Sequence, residues 1–327
     1  MKNYEALLNL FSEHLEKYRS QLSAKQPKEL YEPENYILSL GGKRLRPLLC
    51  LIACDLFDKD PKRALDSALS VELFHNFTLI HDDILDNAPM RRNQPTVHTK
   101  WNINIGILSG DVMMAKAYDI LNRYNATQLK SLLNIMLATS IEVCEGQQMD
   151  MNFEKSKSVT VSEYKQMITF KTAVLLGCSL KMGAINADAS EEDAEHLFEF
   201  GKHLGIAFQL NDDMLDAYSA NEKFGKQVGG DILANKKTFL IVKAFELANA
   251  SQKQKLESYL NLTSMKGLEK ISGTLELFKE LNIKTLAQNE ADSHTKEAIS
   301  HLKLVNANHH KIKQLEELAT TLLTRDI

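Results

Sequence analysis

Apolar side chains recur at helical spacing along nearly the whole chain, and this periodicity constrains the fold more than any other feature. Leu8, Phe11 and Leu15 form one apolar stripe near the start, and residues 135–143 carry another. The 327 residues include only 14 glycines and 6 prolines, so few turns are available. The sequence therefore predicts an all-α fold of ten or more helices, in a single domain over residues 1–327.

Three segments interrupt the helical pattern. Residues 24–34 hold two prolines, residues 87–102 hold two prolines and two arginines, and residues 219–237 hold three glycines and four lysines. The longest run without a charged residue, 131–141, is too short for a membrane span, which needs about 20 residues. The start of the chain is typical of an amphipathic helix rather than a signal peptide.

The overall charge and the cysteines narrow the class of protein. The chain has 39 basic and 43 acidic residues and a pI near 6.2, so nothing in its charge indicates binding to nucleic acid or to an anionic membrane. The four cysteines, Cys50, Cys54, Cys144 and Cys178, include no CxxC pair. We therefore expect reduced thiols in the core of a cytoplasmic protein.

Two acidic pentapeptides lie far apart in otherwise apolar helical segments. They read DDILD at residues 82–86 and DDMLD at residues 212–216. On a helix, residues four apart share a face, so the first and last aspartates of each motif project together. On the second helix, Leu210 and Met214 take the adjacent side, which we expect to face the core. Two such motifs are far more specific than a single one.

The spacing of these carboxylates indicates a bound cation. Clustered carboxylates repel one another, and the first motif lies near a helix C-terminus, where the macrodipole also disfavours anions. Oxygen-only ligands, few per site, suit Mg²⁺ that bridges to substrate phosphates. The alternative is two solvated acidic patches on exposed helix faces. A calcium-binding loop does not fit, because the spacing is helical and no EF-hand glycine pattern follows.

Basic residues accompany both acidic motifs. Each one alone is usually a solvated surface charge, but beside two metal-type clusters they predict a site for two diphosphates. They are Lys43 and Arg46 in a GGKRLRP segment, Arg91 and Arg92 after the first motif, and Lys226 and Lys236 after the second. We expect Lys43 and Arg46, three residues apart, to share a helix face. Lys171 precedes an apolar run, and it either borders a buried region or extends to the surface.

These motifs resemble those of the trans-isoprenyl diphosphate synthases, the polyprenyl synthetase family that includes farnesyl and geranylgeranyl diphosphate synthases. The resemblance runs from about Tyr36 to Leu240, in order and in spacing. It comprises GGKRLRP, HNFTLIHDDILD, RRNQPT, GQQMD, FKT, FQLNDDMLD, FGKQVGGDI and NKKT. The resemblance implies an all-α helical bundle of the isoprenoid synthase type, with an acidic motif on each facing wall of a central cavity. It also implies a homodimer.

The resemblance implies roles for residues at matching positions. Ligands of a trinuclear Mg²⁺ cluster are implied at Asp82, Asp86 and Asp212, with Asp83 and Asp216 in or near the same shell. The residues implied to bind isopentenyl diphosphate are Lys43, Arg46, His75 and Arg92. The residues implied to bind the allylic diphosphate are Arg91, Gln147, Lys171, Lys226 and Lys236. The residues implied to line the reaction centre are Lys171, Thr172 and Gln209, with Asp150 close by.

Two positions depart from the family pattern. Asn93 and Asn235 stand where glycine is common. Because asparagine tolerates a left-handed backbone better than most residues, we expect both changes to be mild.

The implied chemistry is ionisation, condensation and elimination. Mg²⁺ and the basic residues stabilise the departing diphosphate as negative charge develops. The double bond of isopentenyl diphosphate then attacks the allylic cation, and a proton is lost to the released diphosphate. This chemistry requires no serine, cysteine or histidine nucleophile.

Product length is expected to depend on the helix that carries the first motif. Phe77, five residues before Asp82, lies ~7–8 Å down that helix, next to the small Thr78, and Phe74 lies deeper. In the family, one aromatic residue here without an insertion in the motif is typical of C20 producers. We therefore predict geranylgeranyl diphosphate (C20), with farnesyl diphosphate (C15) as the alternative. Phe77 is either the floor of the chain-length pocket or simply core packing.

Three other functions remain as alternatives. A class I terpene cyclase shares one DDxxD motif, but its second motif is normally looser, and it needs no site for a second diphosphate. Head-to-head condensing enzymes have related acidic repeats but do not resemble the GGKRLRP and RRNQPT elements. A non-catalytic partner subunit of a prenyl synthase would act through its dimer surface, which the intact acidic motifs do not favour.

Overall fold

A computed structural model describes residues 4–218, 229–262 and 266–324 of the chain. Over these residues the predicted all-α fold is confirmed, with sixteen α-helices and one pair of very short strands. The strands, β1 (Met90–Arg91) and β2 (Gln94–Pro95), pair antiparallel. The helices are α1 (Glu5–Leu22), α2 (Lys28–Ser39), α3 (Leu45–Leu56), α4 (Leu65–Leu85), α5 (Val97–Lys100), α6 (Ile103–Asp119), α7 (Ala126–Lys155), α8 (Val161–Ile168), α9 (Val174–Asn186), α10 (Glu191–Tyr218), α11 (Gly230–Leu233), α12 (Phe239–Leu247), α13 (Ala250–Leu260), α14 (Gly267–Glu280), α15 (Ile283–Leu304) and α16 (His309–Leu323).

The helices group into two compact units. The first unit comprises Met1–Ala138, Cys178–Phe198 and Val305–Gln314, and the second comprises Thr139–Gly177, Glu199–Leu304 and Leu315–Ile327. The first acidic motif belongs to the first unit, and the second motif belongs to the second unit. A single domain over residues 1–327 stays a prediction.

The core of the first unit forms around α3 and α4. Nine of the twelve residues of α3 are buried, and α4 is buried along most of its length. A helix that is apolar on all sides must be surrounded by other helices. Accordingly, α3 packs against α1 and α4, and α4 packs against α6. The first acidic motif therefore ends a helix that the core holds firmly in place.

The core of the second unit brings together apolar side chains from α8, α10, α12 and α14. Tyr164, Phe239 and Phe278 are almost completely buried there. Leu210 and Met214 of α10 belong to the same cluster, which confirms that this side of the second motif's helix faces the core. The aspartates of the second motif are thereby fixed relative to the rest of that unit.

Two sequence-based expectations are wrong in detail. The interruption predicted at 24–34 is shorter, because α2 begins at Lys28 and carries Pro33 inside it. Pro33 cannot donate a helical hydrogen bond, but it is buried with Ile37, which offsets that loss. Cys50, Cys54 and Cys178 are buried free thiols as expected, whereas Cys144 is exposed. Cys144 follows the buried Val143 and lies on the outward side of α7.

One helical run is long and apolar enough to cross a membrane. It extends over Val161–Asn186, and 67% of its most apolar stretch is buried inside the protein. Burial of this kind is typical of a core helix.

Gly183 provides a test of the packing between α9 and α3. A Cβ at this position would lie 2.1 Å from the carbonyl oxygen of Cys50 and 2.7 Å from the Cβ of Ala53. Overpacking against backbone costs about 1–3 kcal/mol, so we expect Gly183→Ala to lower the free energy of unfolding by about 3 kcal/mol. Denaturant unfolding followed by circular dichroism measures this change.

The matched control is Gly267→Ala, at the start of α14. Its Cβ would meet only the Cδ2 atom of Leu233, at 3.1 Å, and that side-chain end can move aside. We expect a change within about 0.5 kcal/mol, as for other substitutions that leave packing intact. Equal destabilisation by the two substitutions would contradict the close approach of α9 to α3.

Candidate active site

The first acidic motif lies at the C-terminus of α4, as the sequence predicts. Asp82 is in the last turn and Asp86 is the capping residue, whose backbone N–H donates to the carbonyl oxygen of Asp82 at 2.9 Å. The two carboxylates are thus one helical turn apart, at the negative end of the helix dipole. This arrangement places two carboxylates close together, where a bound cation would relieve their repulsion.

Asp83, the middle residue of the motif, points in another direction. Its side chain is only 2% exposed, and both carboxylate oxygens accept hydrogen bonds from the guanidinium of Arg91, at 2.8 Å each. A paired, bidentate contact of this kind fixes the plane of the guanidinium. Asp83 therefore holds Arg91 in position beside the motif.

Arg91 and Arg92 belong to the hairpin formed by β1 and β2. Arg92 and Asn93 occupy its two-residue turn with φ angles of 52° and 60°. Two successive left-handed residues favour a tight hairpin turn in which asparagine is common. Asn93 therefore has the left-handed backbone on which the expectation of a mild change rests. The turn directs Arg92 toward the GGKRLRP segment, where its Nη1 donates to the carbonyl oxygen of Gly41.

Arg46 and His75 meet in the same unit. Nη1 of Arg46 lies 3.2 Å from Nε2 of His75. Burial, together with the charges of Arg46 and Arg92, holds the pKa of His75 well below its usual range, so the ring is neutral. Burial also lowers the pKa of Arg46 to about 10, which leaves it charged at neutral pH. The predicted pairing of Lys43 with Arg46 on one helix face is wrong, because α3 begins at Leu45 and Lys43 precedes it.

Sequence reasoning missed the residues that hold this segment in place. Arg44 caps α3 with a left-handed backbone, and its guanidinium donates to the buried carboxylate of Glu72 and, at 2.5 Å, to the carbonyl oxygen of Leu38. Asn76 donates to the same Glu72 oxygen at 2.7 Å. The one signal of this ion pair in the sequence was Glu72 itself, an acidic residue inside the apolar run of α4. Buried acidic side chains are nearly always paired.

The predicted chain-length residues follow one another along α4. Phe74 is fully buried and Phe77 is 7% exposed, and their ring centroids are 5.4 Å apart. The ring of Phe77 also contacts His81, at 4.8 Å between centroids. The hydroxyl of Thr78 donates to the carbonyl oxygen of His75 at 2.8 Å, within the helix. Two aromatic rings therefore lie in succession on the N-terminal side of the motif.

In the second unit, the middle aspartate of the second motif is again buried. Asp213 accepts hydrogen bonds from the Tyr164 hydroxyl at 2.6 Å, the Phe239 backbone N–H at 3.0 Å and the Gln209 amide at 3.1 Å. Burial raises the pKa of Asp213 to about 7, although these three donors favour the ionised form. Asp213 thus joins α8, α10 and the start of α12.

Asp216 and Lys236 lie around the short helix α11. One carboxylate oxygen of Asp216 accepts from the backbone N–H of Asp231 at 2.9 Å, in the first turn of α11. The Nζ atom of Lys236 is 3.6 Å from Asp231. Asn235 has φ of 57°, so its left-handed backbone is also confirmed. The sequence-predicted Lys226 lies outside the residues that the structure describes.

Lys171 and Thr172 lie on a single π-helical turn, Thr169–Ala173, between α8 and α9. Gly146 of α7 makes room for this turn, because a Cβ there would lie 2.3 Å from the backbone nitrogen of Lys171. The Nζ atom of Lys171 donates to Asp150 at 2.5 Å. Single π-turns are frequent at functional sites, where they redirect side chains.

A cavity of about 210 Å³ in the second unit collects several predicted site residues. The predicted site residues that line it are Lys171, Thr172, Gln209, Lys236 and Asp150. The remaining lining residues are Tyr164, Met167, Ile168, Asp213, Asp231, Lys237 and Thr238. The cavity therefore combines two predicted diphosphate-binding lysines with the predicted reaction-centre residues.

Comparison with known proteins identifies the family. A family model described as polyprenyl synthetase matches residues 27–277. The geranylgeranyl diphosphate synthase of Methanosarcina mazei is 42% identical over 227 residues, which are 69% of this chain and 70% of that protein. A short chain isoprenyl diphosphate synthase of Methanothermobacter thermautotrophicus is 34% identical over 95% of both chains. A solved structure of a geranylgeranyl pyrophosphate synthase superposes with a TM-score of 0.93 at 40% identity, over the whole of both chains.

These similarities set aside the terpene cyclase and head-to-head alternatives. Polyprenyl synthetases are generally Mg²⁺-dependent, and two aspartate motifs with oxygen donors one turn apart are chemically suited to that ion. Together with the matching motifs, the all-α fold and the similarity over most of the chain, this shows that the chain belongs to the polyprenyl synthetase family and is a trans-prenyltransferase.

Proposed function

We propose that this enzyme condenses isopentenyl diphosphate with allylic diphosphates, and that geranylgeranyl diphosphate (C20) is its main product. The observation that carries the proposal is that each acidic motif has basic groups beside it. Arg91 is paired with the first motif, and Lys171 and Lys236 line the cavity beside the second. Carboxylates that bind Mg²⁺ and cations that bind phosphate oxygens are what a diphosphate substrate requires.

Isopentenyl diphosphate binds, in this proposal, at the arginines near the start of α3. Arg46 and Arg92 supply guanidinium groups, which bind phosphate oxygens in pairs, and Lys43 adds an exposed charge. The neutral ring of His75 contacts Arg46 and can also donate or accept a hydrogen bond. The allylic diphosphate is assigned to Arg91, Gln147, Lys171 and Lys236, and to Lys226, which lies outside the described residues.

The residues that would hold Mg²⁺ are Asp82, Asp86 and Asp212, with Asp216 near them. The resemblance implies three ions per site. Bound Mg²⁺ supplies charge neutralisation of the allylic diphosphate as the C–O bond to its C1 carbon breaks. Lys171 adds a positive charge at the same leaving group. Thr172 and Gln209 offer hydroxyl and amide dipoles to the developing cation, and the released diphosphate takes the proton lost in elimination.

We assign Asp83 to the positioning of Arg91 rather than to the metal. Both of its oxygens already accept from one guanidinium, so a metal ion would have to compete with a bidentate ion pair.

The residues on the N-terminal side of the first motif favour a C20 product, with C15 as the alternative. Phe77 is the first large ring on the N-terminal side of the motif, and the next position, Thr78, is small. Relatives such as the Methanosarcina mazei protein are named geranylgeranyl diphosphate synthases. Farnesyl diphosphate (C15) remains the alternative, and Phe74, whose ring lies deeper along α4, is a further floor in this proposal.

We further propose a homodimer that works in the cytoplasm. Exposed apolar side chains lie one turn apart on two helices: Ile103, Ile107 and Leu108 on α6, and Leu137 and Ile141 on α7. Such patches mark surfaces where proteins associate. Free thiols at all four cysteines support a reducing compartment.

The test of the proposed function is elongation by the purified protein. The protein is incubated with Mg²⁺, isopentenyl diphosphate and C5, C10 or C15 allylic diphosphates, and product length is determined. We expect a C20 product that EDTA abolishes. A C15 end product would favour the alternative. If no starter is elongated until another prenyl synthase subunit is added, the chain is a partner subunit instead.

Phe77→Ala tests the chain-length assignment. Removing the ring opens the pocket by roughly one isoprene unit, so we expect products longer than C20 from the same starters, with the condensation rate falling less than ~10-fold. Leu79→Ala, at a half-buried side chain about 160° around α4 from Phe77, is the control and should leave product length unchanged. Identical product distributions from Phe77→Ala and the wild type would contradict the assignment.

Asp83→Asn separates a positioning role from metal binding. Loss of the charged pair frees the guanidinium of Arg91, so we expect kcat/KM for the allylic diphosphate to fall ~10–100-fold. Raising the Mg²⁺ concentration should not restore the activity. The control is Asp86→Asn, whose activity should recover in part at high Mg²⁺. Recovery of Asp83→Asn by Mg²⁺ would make Asp83 a metal ligand.

Leu108→Lys tests the proposed dimer surface. A charge at the centre of an apolar interface disfavours association, so we expect the molar mass in sedimentation to fall from two chains to one. Leu268→Lys replaces a more exposed leucine on α14 and should leave the mass unchanged. A monomeric wild type, or a dimer that persists in Leu108→Lys, would contradict the proposal.

A further inference from the structure

Three histidines and a glutamate meet between α10 and α15 in the second unit. Glu199 and His203 lie one turn apart on α10, and His294 and His301 lie two turns apart on α15. One ligand atom each from Glu199, His203 and His301 lies within 4.8 Å of the others. All four side chains are half-buried.

The distances within this histidine cluster are short. The Nδ1 atoms of His203 and His294 are 3.0 Å apart, and the ring of His301 stacks on that of His203 at 5.9 Å between centroids. Nε2 of His203 is 3.7 Å from a carboxylate oxygen of Glu199. Ligands ~2.0–2.1 Å from a tetrahedral ion lie about 3.4 Å from one another. Glu199, His203 and His301 therefore need only small side-chain rotations to surround one ion, whereas His294 faces the other ring nitrogen of His203.

We propose that the histidine cluster binds a divalent transition-metal ion, with Zn²⁺ the best match, through His203, His301 and Glu199. Imidazole with a carboxylate is a donor set typical of zinc, and it is poorly suited to Mg²⁺, which prefers oxygen ligands. The site is separate from the aspartate motifs. Asp212 follows His203 by nine residues on α10, which corresponds to ~13–14 Å along the helix.

The surroundings of the cluster are consistent with a bound cation. His294 faces Nδ1 of His203 at 3.0 Å, and Glu290 lies 3.6 Å from Nε2 of His294, so both groups support the His203 ring from outside the ligand set. Lys202 pairs with the other oxygen of Glu199 at 2.5 Å and weakens, but does not block, that ligand.

The ion would link two helices that are far apart in sequence. α10 carries the second aspartate motif, and α15 packs against α12 and α14 in the same unit. Because a metal that binds only the folded chain stabilises it by mass action, occupancy should raise the thermal midpoint of the protein. The role we assign to the ion is therefore structural.

Co²⁺ is the probe, because its visible absorption reports tetrahedral coordination by nitrogen. The metal-free full-length protein is titrated with Co²⁺ in excess Mg²⁺, which keeps the aspartate motifs occupied. We expect one Co²⁺ per chain with strong visible bands, displaced by one equivalent of Zn²⁺. Zn²⁺, but not additional Mg²⁺, should also raise the melting temperature.

Variants on both helices test the ligands. His203→Gln and His301→Gln should each raise the Kd for Co²⁺ at least ~100-fold, because even the loss of an outer partner costs 10–100-fold. His310→Gln, at an exposed histidine on α16, is the matched control and should bind as the wild type does. Circular dichroism confirms that each variant is folded. Binding unchanged in His203→Gln and His301→Gln, or bands of octahedral Co²⁺ only, would overturn the proposal.

Discussion

Repulsion between the carboxylates of each acidic motif is the constraint to which the rest of the site responds. Three aspartates within five residues stand close enough that two charges cost about 3–4 kcal/mol at the effective dielectric of a protein surface. At the end of α4 the helix dipole adds to this cost. Within each motif the middle aspartate is buried and held by protein donors, and the other aspartates are the ones that the proposal assigns to a cation.

Both motifs divide their aspartates in the same way. The middle residue is turned by about 100° from the first and is buried, where protein donors satisfy it: Arg91 for Asp83, and Tyr164 with the Phe239 backbone for Asp213. The first and last residues share the other face. The same five-residue pattern therefore places one buried, anchored aspartate and two aspartates on a shared face in each unit.

The sequence predicts the parts of this site that depend on helical spacing, and it misses those that depend on tertiary contacts. Helices, motifs and the left-handed Asn93 and Asn235 follow from local rules. The π-turn under Lys171 does not, because it depends on Gly146 from another helix. Glu72 and the histidine cluster were likewise missed, since their partners are far away in the chain.

The arginines beside α3 show how the fold selects where positive charge stays available. Arg44 is paired with the buried Glu72, so an internal carboxylate offsets its charge. Arg46 and Arg92 instead contact neutral groups, the His75 ring and the Gly41 carbonyl oxygen. Because neither contact cancels a charge, the net positive potential concentrates at Arg46 and Arg92. Those are the two guanidinium groups that the proposal assigns to isopentenyl diphosphate, and the low pKa of His75 shows that the site disfavours a further positive charge.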